Sequence, residues 1–273
     1  MARTSTDLRE ALRVRPGKRV DLSEIDPSET HGHEKEAAEA ELAAGLERLA
    51  DLQDRVWAED KHRVLVVLQG IDAAGKDGTI RHVMGAFNPQ GCRVTSFKVP
   101  SEDELAHDYL WRVHRQVPGN GEIGIFNRSH YEDVLVVRVH DLVPRERWQR
   151  RYDQINAFEQ LLAEEGTTIL KFFLYIDRDE QRERFQARLD DPTKNWKFRL
   201  GDLEERKRWD DYIAAYEDAL SRCSTEAAPW YVIPSNRKWF RNLAVADILG
   251  DTLDELNPRY PKPEEDLTGV VVT

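Results

Sequence analysis

At 273 residues the chain is long enough to bury a full core, as one large domain or two small ones. A net charge of −11 with 33% charged residues argues against a nucleic-acid or membrane-surface binder, so any polyanionic partner must meet a local basic cluster. Cys92 and Cys223 lie far apart without metal-ligand spacing, and neither an apolar leader nor a run of about 18 apolar residues occurs; the expectation is a soluble cytoplasmic protein.

Residues 1–31 mix Pro, Gly, Ser and charge without a period and read as an extended arm or wrap. From Glu34 to about Asp60, Leu42, Leu46, Leu49, Leu52, Val56 and Trp57 recur at spacings of three and four, an amphipathic helix whose stripe needs a partner surface. Strands and helices then alternate: strand Val64–Leu68, helix Thr79–Phe87, strand Cys92–Val99, and helix Glu102–Arg115 with Ser101 as its N-cap. A short strand, Ile123–Phe126, precedes a long helix, Arg145–Glu165, which Gly166 ends. Thr168–Ile176 is β-branched and aromatic throughout and forms the clearest strand. Helix Asp179–Leu189, a break around Pro192, helix Asp202–Cys223, strand Trp230–Ile233 and helix Lys238–Leu256 complete the pattern. The Pro-rich tail from Asn257 reads as loose. Such alternation implies α/β architecture, a parallel sheet covered on both faces with its ligand at the carboxyl ends of the strands. The expected division is an arm and helix over 1–60, a core over 61–256 with a lid at about 184–208, and a tail over 257–273.

The segment Gly70-Ile-Asp72-Ala73-Ala74-Gly75-Lys76-Asp77-Gly78-Thr79 follows the apolar run Val64–Leu68. A buried strand, a Gly-rich turn and a Lys at a helix start make a phosphate cradle: backbone N–H groups approach the oxygens, and the helix N-terminus and lysine add positive potential. The position after the lysine, a magnesium-binding Ser or Thr in the usual P-loop, is Asp77, and Asp72 inside the loop could take over metal binding. Asn127-Arg128-Ser129-His130-Tyr131-Glu132-Asp133 occupies the place of a Walker B element, with Arg128 as a cation and Glu132 or Asp133 as the carboxylate. Read blandly, it is a helix cap and a solvated first turn. Arg182, Arg184, Arg188, Lys194, Lys197 and Arg199 concentrate cations within an acidic protein, interleaved with Trp196 and Phe198, which resembles the mobile lid of a nucleoside-monophosphate kinase. None of the histidines has metal-ligand spacing.

With these residues in view, the chain resembles the polyphosphate kinase 2 family over roughly residues 35–255. The resemblance rests on GIDAAGKDGT (70–79), KVPSEDELAHDYLWRVH (98–114), GEIGIFNRSHYEDVLVVRVH (121–140) and DPTKNWKF (191–198) leading to RWDDY (208–212). It implies a three-layer P-loop kinase fold similar to thymidylate kinase, with a helical lid and an N-terminal helical extension. It also implies magnesium-dependent phosphoryl transfer between inorganic polyphosphate and AMP or ADP, forming ADP or ATP, commonly in a homo-oligomer, dimer or tetramer. Lys76 and the loop from Gly70 to Thr79 would then hold phosphates, Asp72 and Glu132 the metal, and Arg128 the transferring group. Arg178, Arg184, Arg188, Lys194 and Lys197 would line the lid. Many relatives have FDRSWYNR where this chain has FNRSHYED, so Glu132 could replace the carboxylate missing at Asn127. Two other readings compete: an ATP-dependent nucleoside-monophosphate or small-molecule kinase, and a non-catalytic P-loop regulator docking a partner through its N-terminal helix.

Overall fold

A computed structural model describes residues 7–268 and 270–272. Five strands, β1 (Arg63–Gln69), β2 (Cys92–Ser96), β3 (Ile123–Asn127), β4 (Thr167–Tyr175) and β5 (Trp230–Pro234), form one parallel sheet in the order β2-β3-β1-β4-β5. β1 lies at the centre, between β3 and β4, so the loop after it emerges where the strand order reverses, the place where such sheets bind ligands. Its residues Val64 to Leu68 are fully buried because both faces are covered. Side-chain alternation sends Val64, Val66 and Leu68 into one core and Leu65 and Val67 into the other.

The helices in chain order are α1 (Leu8–Leu12), α2 (Lys35–Glu59), α3 (Lys76–His82), α4 (Glu102–Leu105), α5 (Trp111–His114), α6 (Val136–Val139), α7 (Arg145–Glu164), α8 (Arg178–Asp190), α9 (Leu200–Lys207), α10 (Trp209–Cys223) and α11 (Lys238–Leu256). Helices α2 and α11 cover one face, where Leu49, Leu52 and Val56 of α2 are buried against Val245, Leu249 and Leu253. The stripe of α2 therefore finds its partner inside the chain. Each such buried side chain contributes about 1.5–3 kcal/mol, which outweighs the exposed ion pair Arg48–Asp251 beside it. Helices α7 and α10 cover the opposite face through Tyr152, Ile155, Tyr216 and Leu220.

The arm lies on the core: the Val14 N–H donates to the Trp230 carbonyl (2.8 Å), the Val20 N–H to Ser221 Oγ (2.8 Å) and the Leu22 N–H to Glu217 (2.9 Å), with Leu8, Leu12 and Leu22 buried. Three elements differ from the sequence expectation. The helix expected over 102–115 is two short pieces, because the Asp108 carboxylate accepts the Leu110 N–H (3.0 Å) in a local turn. Ser101 does cap the first piece, in a capping box with Glu104. The helix expected over 202–223 breaks at Arg208, whose guanidinium donates to the Val139 carbonyl (3.1 Å), and α3 starts at Lys76 rather than Thr79.

Candidate active site

The loop between β1 and α3 is shaped by its glycines. Gly70 sits at φ 157°, where a Cβ would come within 2.8 Å of the Leu174 carbonyl. Gly75 sits at φ 116°, where a Cβ would collide with Nη1 of Arg241. Lys76 opens α3 and is buried; its ammonium donates back to the Gly70 carbonyl at 2.5 Å. Burial first, then Arg128, pushes its pKa down to about 8. The first-turn amides of α3 have no carbonyl partner within the helix and can face a phosphate oxygen. Thr79 does not belong to that surface: it is fully buried, and its hydroxyl has no partner.

Arg128 follows β3 with φ 63°, a left-handed conformation uncommon for a side-chain-bearing residue, and Ala73 in the loop has φ 68°. That backbone turn aims the guanidinium across the loop, where Nη2 meets Asp72 Oδ1 at 2.9 Å and Nη1 lies 3.9 Å from Glu132 Oε2. Burial disfavours the charged guanidinium, but Glu132 and Asp72 more than offset it and raise its pKa. Asp72, Arg128 and Glu132 share a cavity of about 210 Å³ at the carboxyl end of β1. His140, Tyr212 and Glu205 close its far side, with the Tyr212 hydroxyl donating to Glu205 (2.6 Å). A larger hollow of about 420 Å³ lies between Tyr109 and the start of α7 and contains none of the sequence-predicted site residues.

The two Walker B candidates separate. Glu132 faces the cavity, whereas Asp133 pairs with Arg151 (2.8 Å), and burial pushes it up to about 6 against the pull of Arg151 and Arg112. Asn127 Nδ2 donates to Asp77 Oδ1 (2.8 Å), so a carboxylate absent from the strand end faces it from the first turn of α3. Among the described residues no three His, Cys, Asp or Glu side chains gather as a metal site. Asp72 and Glu132, on the loop side of the cavity, still suit magnesium, which keeps waters and takes its other oxygens from phosphates.

The predicted lid cations divide. Arg184 is buried rather than exposed: Nη1 donates to the Ala73 and Ala74 carbonyls (2.9 Å each) and Nη2 to Ser235 (2.5 Å), pinning the loop. Arg178 is exposed at the start of α8. Lys194 pairs with Asp191 (2.5 Å), Lys197 lies over the Trp196 ring (5.0 Å) and Arg188 over Phe185 (5.5 Å), on a segment where Trp196 is 76% exposed.

Against known proteins, the sequence profile described as Polyphosphate kinase 2 matches residues 32–261. The chain belongs to the polyphosphate kinase 2 family. It is 58% identical over 262 residues to the AMP/ADP-polyphosphate phosphotransferase of Meiothermus ruber, covering 95% of this chain and 98% of that protein. It is 48% identical to the ADP-polyphosphate phosphotransferase of Rhodopseudomonas palustris, over 92% of this chain and 91% of the other. The crystal structure of polyphosphate kinase 2 from Arthrobacter aurescens TC1 superposes with a TM-score of 0.93 at 46% identity, covering 97% of this chain and 95% of that one. The fold is accordingly the P-loop kinase fold, an α/β three-layer arrangement.

Sequence reasoning missed several cavity residues of this polyphosphate kinase 2 family member. Tyr212 and Tyr216 stand four apart on α10, one helix face, which is the signal that could have found them. Gln181, whose Nε2 donates to the Asp72 carbonyl (2.9 Å), carries no local signal. Behind the site, Lys171 on β4 is fully buried and donates to Tyr131 Oη (2.8 Å), Glu159 (2.5 Å) and the Cys223 carbonyl (2.7 Å). Glu159 also receives Tyr131 Oη–H (3.0 Å) and lies 3.1 Å from His130 Nε2, so this buried network holds the turn that presents Glu132.

Proposed function

We propose that the chain transfers a phosphoryl group between inorganic polyphosphate and AMP or ADP, forming ADP or ATP, with magnesium. The observation that carries this reading is the convergence of Asp72, Arg128 and Glu132 on one cavity at the carboxyl end of β1, with Lys76 buried beside it on the Gly70 carbonyl, in a chain 58% identical to an AMP/ADP-polyphosphate phosphotransferase. Phosphoryl transfer needs alignment and positive charge on the equatorial oxygens more than covalent help. Lys76 and the loop amides hold the donor phosphates, the lysine exchanging its carbonyl partners for phosphate oxygens. Arg128 leaves Asp72 to meet the charge that develops on the transferring group, which the left-handed backbone already positions. Asp72 and Glu132 would hold magnesium, which when bound neutralises phosphate charge. Tyr212 and His140 line the part of the cavity left for the acceptor. The exposed part of segment 184–208, which carries Lys194 and Lys197, would close over the phosphates and exclude water, with the buried Arg184 as its fixed root.

No described helix is long and apolar enough to cross a membrane. Val94 on edge strand β2 and the nearby Val99 and Leu105 are exposed, and their burial against a second copy is the assembly we propose for a homo-oligomer. The deciding experiment supplies ADP or AMP with magnesium and compares polyphosphate with ATP as donor. Turnover with ATP but none with polyphosphate would sink the reading.

A further inference from the structure

Charge is distributed unevenly about the phosphate loop. On the cavity side, Asp72, Glu132 and Glu205 face Arg128, so a long polyanion finds little attraction there. On the other side, where α11 begins, cations gather. Arg241 is 3% exposed, yet its Nε and Nη2 reach only the Asn242 amide oxygen (3.2 and 2.8 Å), and no acid among the described residues pairs with it. Its guanidinium lies against the loop: a Cβ on Gly78 would come within 3.1 Å of Nη2, and one on Gly75 would strike Nη1. Burial, then Arg184, pushes its pKa down to about 10. The side chain of Lys238, three residues earlier and exposed, makes no hydrogen bond or ion pair in the described structure. Burial, then Arg184, Arg241 and Lys194, depress its pKa, with Glu180 in opposition.

Gathering like charges and burying an unpaired guanidinium both cost stability, and a protein of net charge −11 has carboxylates in plenty to prevent it. The cost is recovered when an anion binds. Helix α11 starts at this point with 19 residues, and its first amides add to the positive potential. We propose that the polyphosphate tail leaves the phosphate loop over the start of α11, on Lys238 as an outer binding residue, while Arg241 is a positioning residue that charges the loop from behind. This rests on the polyphosphate activity proposed above and deepens it: donor tail and acceptor nucleotide occupy opposite sides of the loop. The ligand chemistry is a phosphoanhydride chain, whose source could be polyphosphate or the triphosphate of a nucleotide.

The full-length enzyme with Lys238→Glu or Lys238→Ala separates the two sources, assayed with ADP as acceptor and either long-chain polyphosphate or tripolyphosphate as donor, and in reverse with ATP. Lys238→Glu should lower kcat/KM for long chains at least about tenfold, through KM, and affect tripolyphosphate and ATP several-fold less. In direct titrations with long-chain polyphosphate and no nucleotide, Lys238→Ala should flatten the plot of log affinity against log salt by roughly 0.7, one contact to a flexible polyanion. An equal loss for long and short donors, or an unchanged salt slope, overturns the tail path. If only the ATP reaction weakens, the site belongs to the nucleotide and the proposal also fails. Arg241→Lys should keep KM for both donors within about threefold, while Arg241→Met should raise it about tenfold or more. A lower melting temperature with unchanged KM in Arg241→Met would make Arg241 a packing residue. Should Arg241→Met not fold, the Lys238 variants decide alone. A wild-type enzyme that uses neither polyphosphate length refutes the activity itself, an outcome distinct from any of these.

Discussion

Replacing Lys171 with Met tests how much the buried network behind the site contributes. The substitution nearly conserves volume but removes three hydrogen bonds, to Tyr131, Glu159 and the Cys223 carbonyl, and strands the Glu159 carboxylate in a fully buried position. Breaking one side of a buried pair costs about 3–5 kcal/mol, mostly from the uncompensated charge. For a chain of this size the melting temperature should fall by about 10 °C, taking roughly 2–4 °C per kcal/mol. In the wild type, burial alone would raise the pKa of Glu159, but Lys171 and His130 hold it below its ordinary range. Its contribution is therefore present above the unfolded carboxylate pKa and lost as pH falls through the lower folded value. Without Lys171, burial dominates and raises the pKa, so Glu159 then costs most when ionised at neutral pH. The deficit of Lys171→Met should shrink between pH 7 and pH 5, and adding Glu159→Gln should recover part of it at pH 7, about 1–3 kcal/mol. Thermal unfolding followed by circular dichroism at both pH values reads this directly. A single variant melting within 2 °C of wild type, or a deficit that ignores pH, would refute the reasoning.

Lys76→Ala should lower turnover at least about a hundredfold while leaving the melting temperature nearly unchanged, since the ammonium contacts loop carbonyls and not the core. In the wild type, KM for polyphosphate should rise as pH passes about 8, where Lys76 loses its proton, and titrations near that pH should show proton uptake on binding; a flat KM from pH 7 to 9 argues against it. Asp72→Asn should shift the magnesium dependence of activity to higher concentration, and a titration overlaying the wild type would move the metal to Glu132. Glu132→Asn should change the ratio of kcat/KM for AMP and ADP by more than it changes activity with the better acceptor; equal loss for both nucleotides would make Glu132 a plain metal ligand or a structural residue.

The elements that were legible in the sequence are those whose signal is local. β4 announces itself through TTILKFFLY, and α2 and α11 through their spacing of apolar residues. That Lys76, Asp72 and Arg128 stand just beyond strand ends was legible, because the strands before them carry local signals. Lys171 was not: it sits in the middle of an apolar strand, and its partner Glu159 is on the preceding helix, so only the packed structure shows why a lysine is tolerated there. The spacing of Tyr212 and Tyr216 shows that they share a helix face, but that this face meets the cavity follows from how α10 packs, which lies outside any local window. Arg184 had the right charge and the wrong surroundings: its helix face is visible in the sequence, but the loop carbonyls it grips come from more than a hundred residues earlier.

The docking of the arm fixes an order of events. Val14 waits for Trp230, Val20 for Ser221, and the Pro27 carbonyl for the Asn236 N–H, so residues 14–27 cannot reach their place until the much later residues 221–236 exist. While the ribosome extends the sheet, the strap hangs free with Leu8, Leu12 and Leu22 uncovered, a hydrophobic segment available to a chaperone or to a neighbouring nascent chain. Once fastened, it closes over β5 and the approach to α11, so shortening the amino terminus should slow the final closure of that wall more than it lowers the stability of the finished fold.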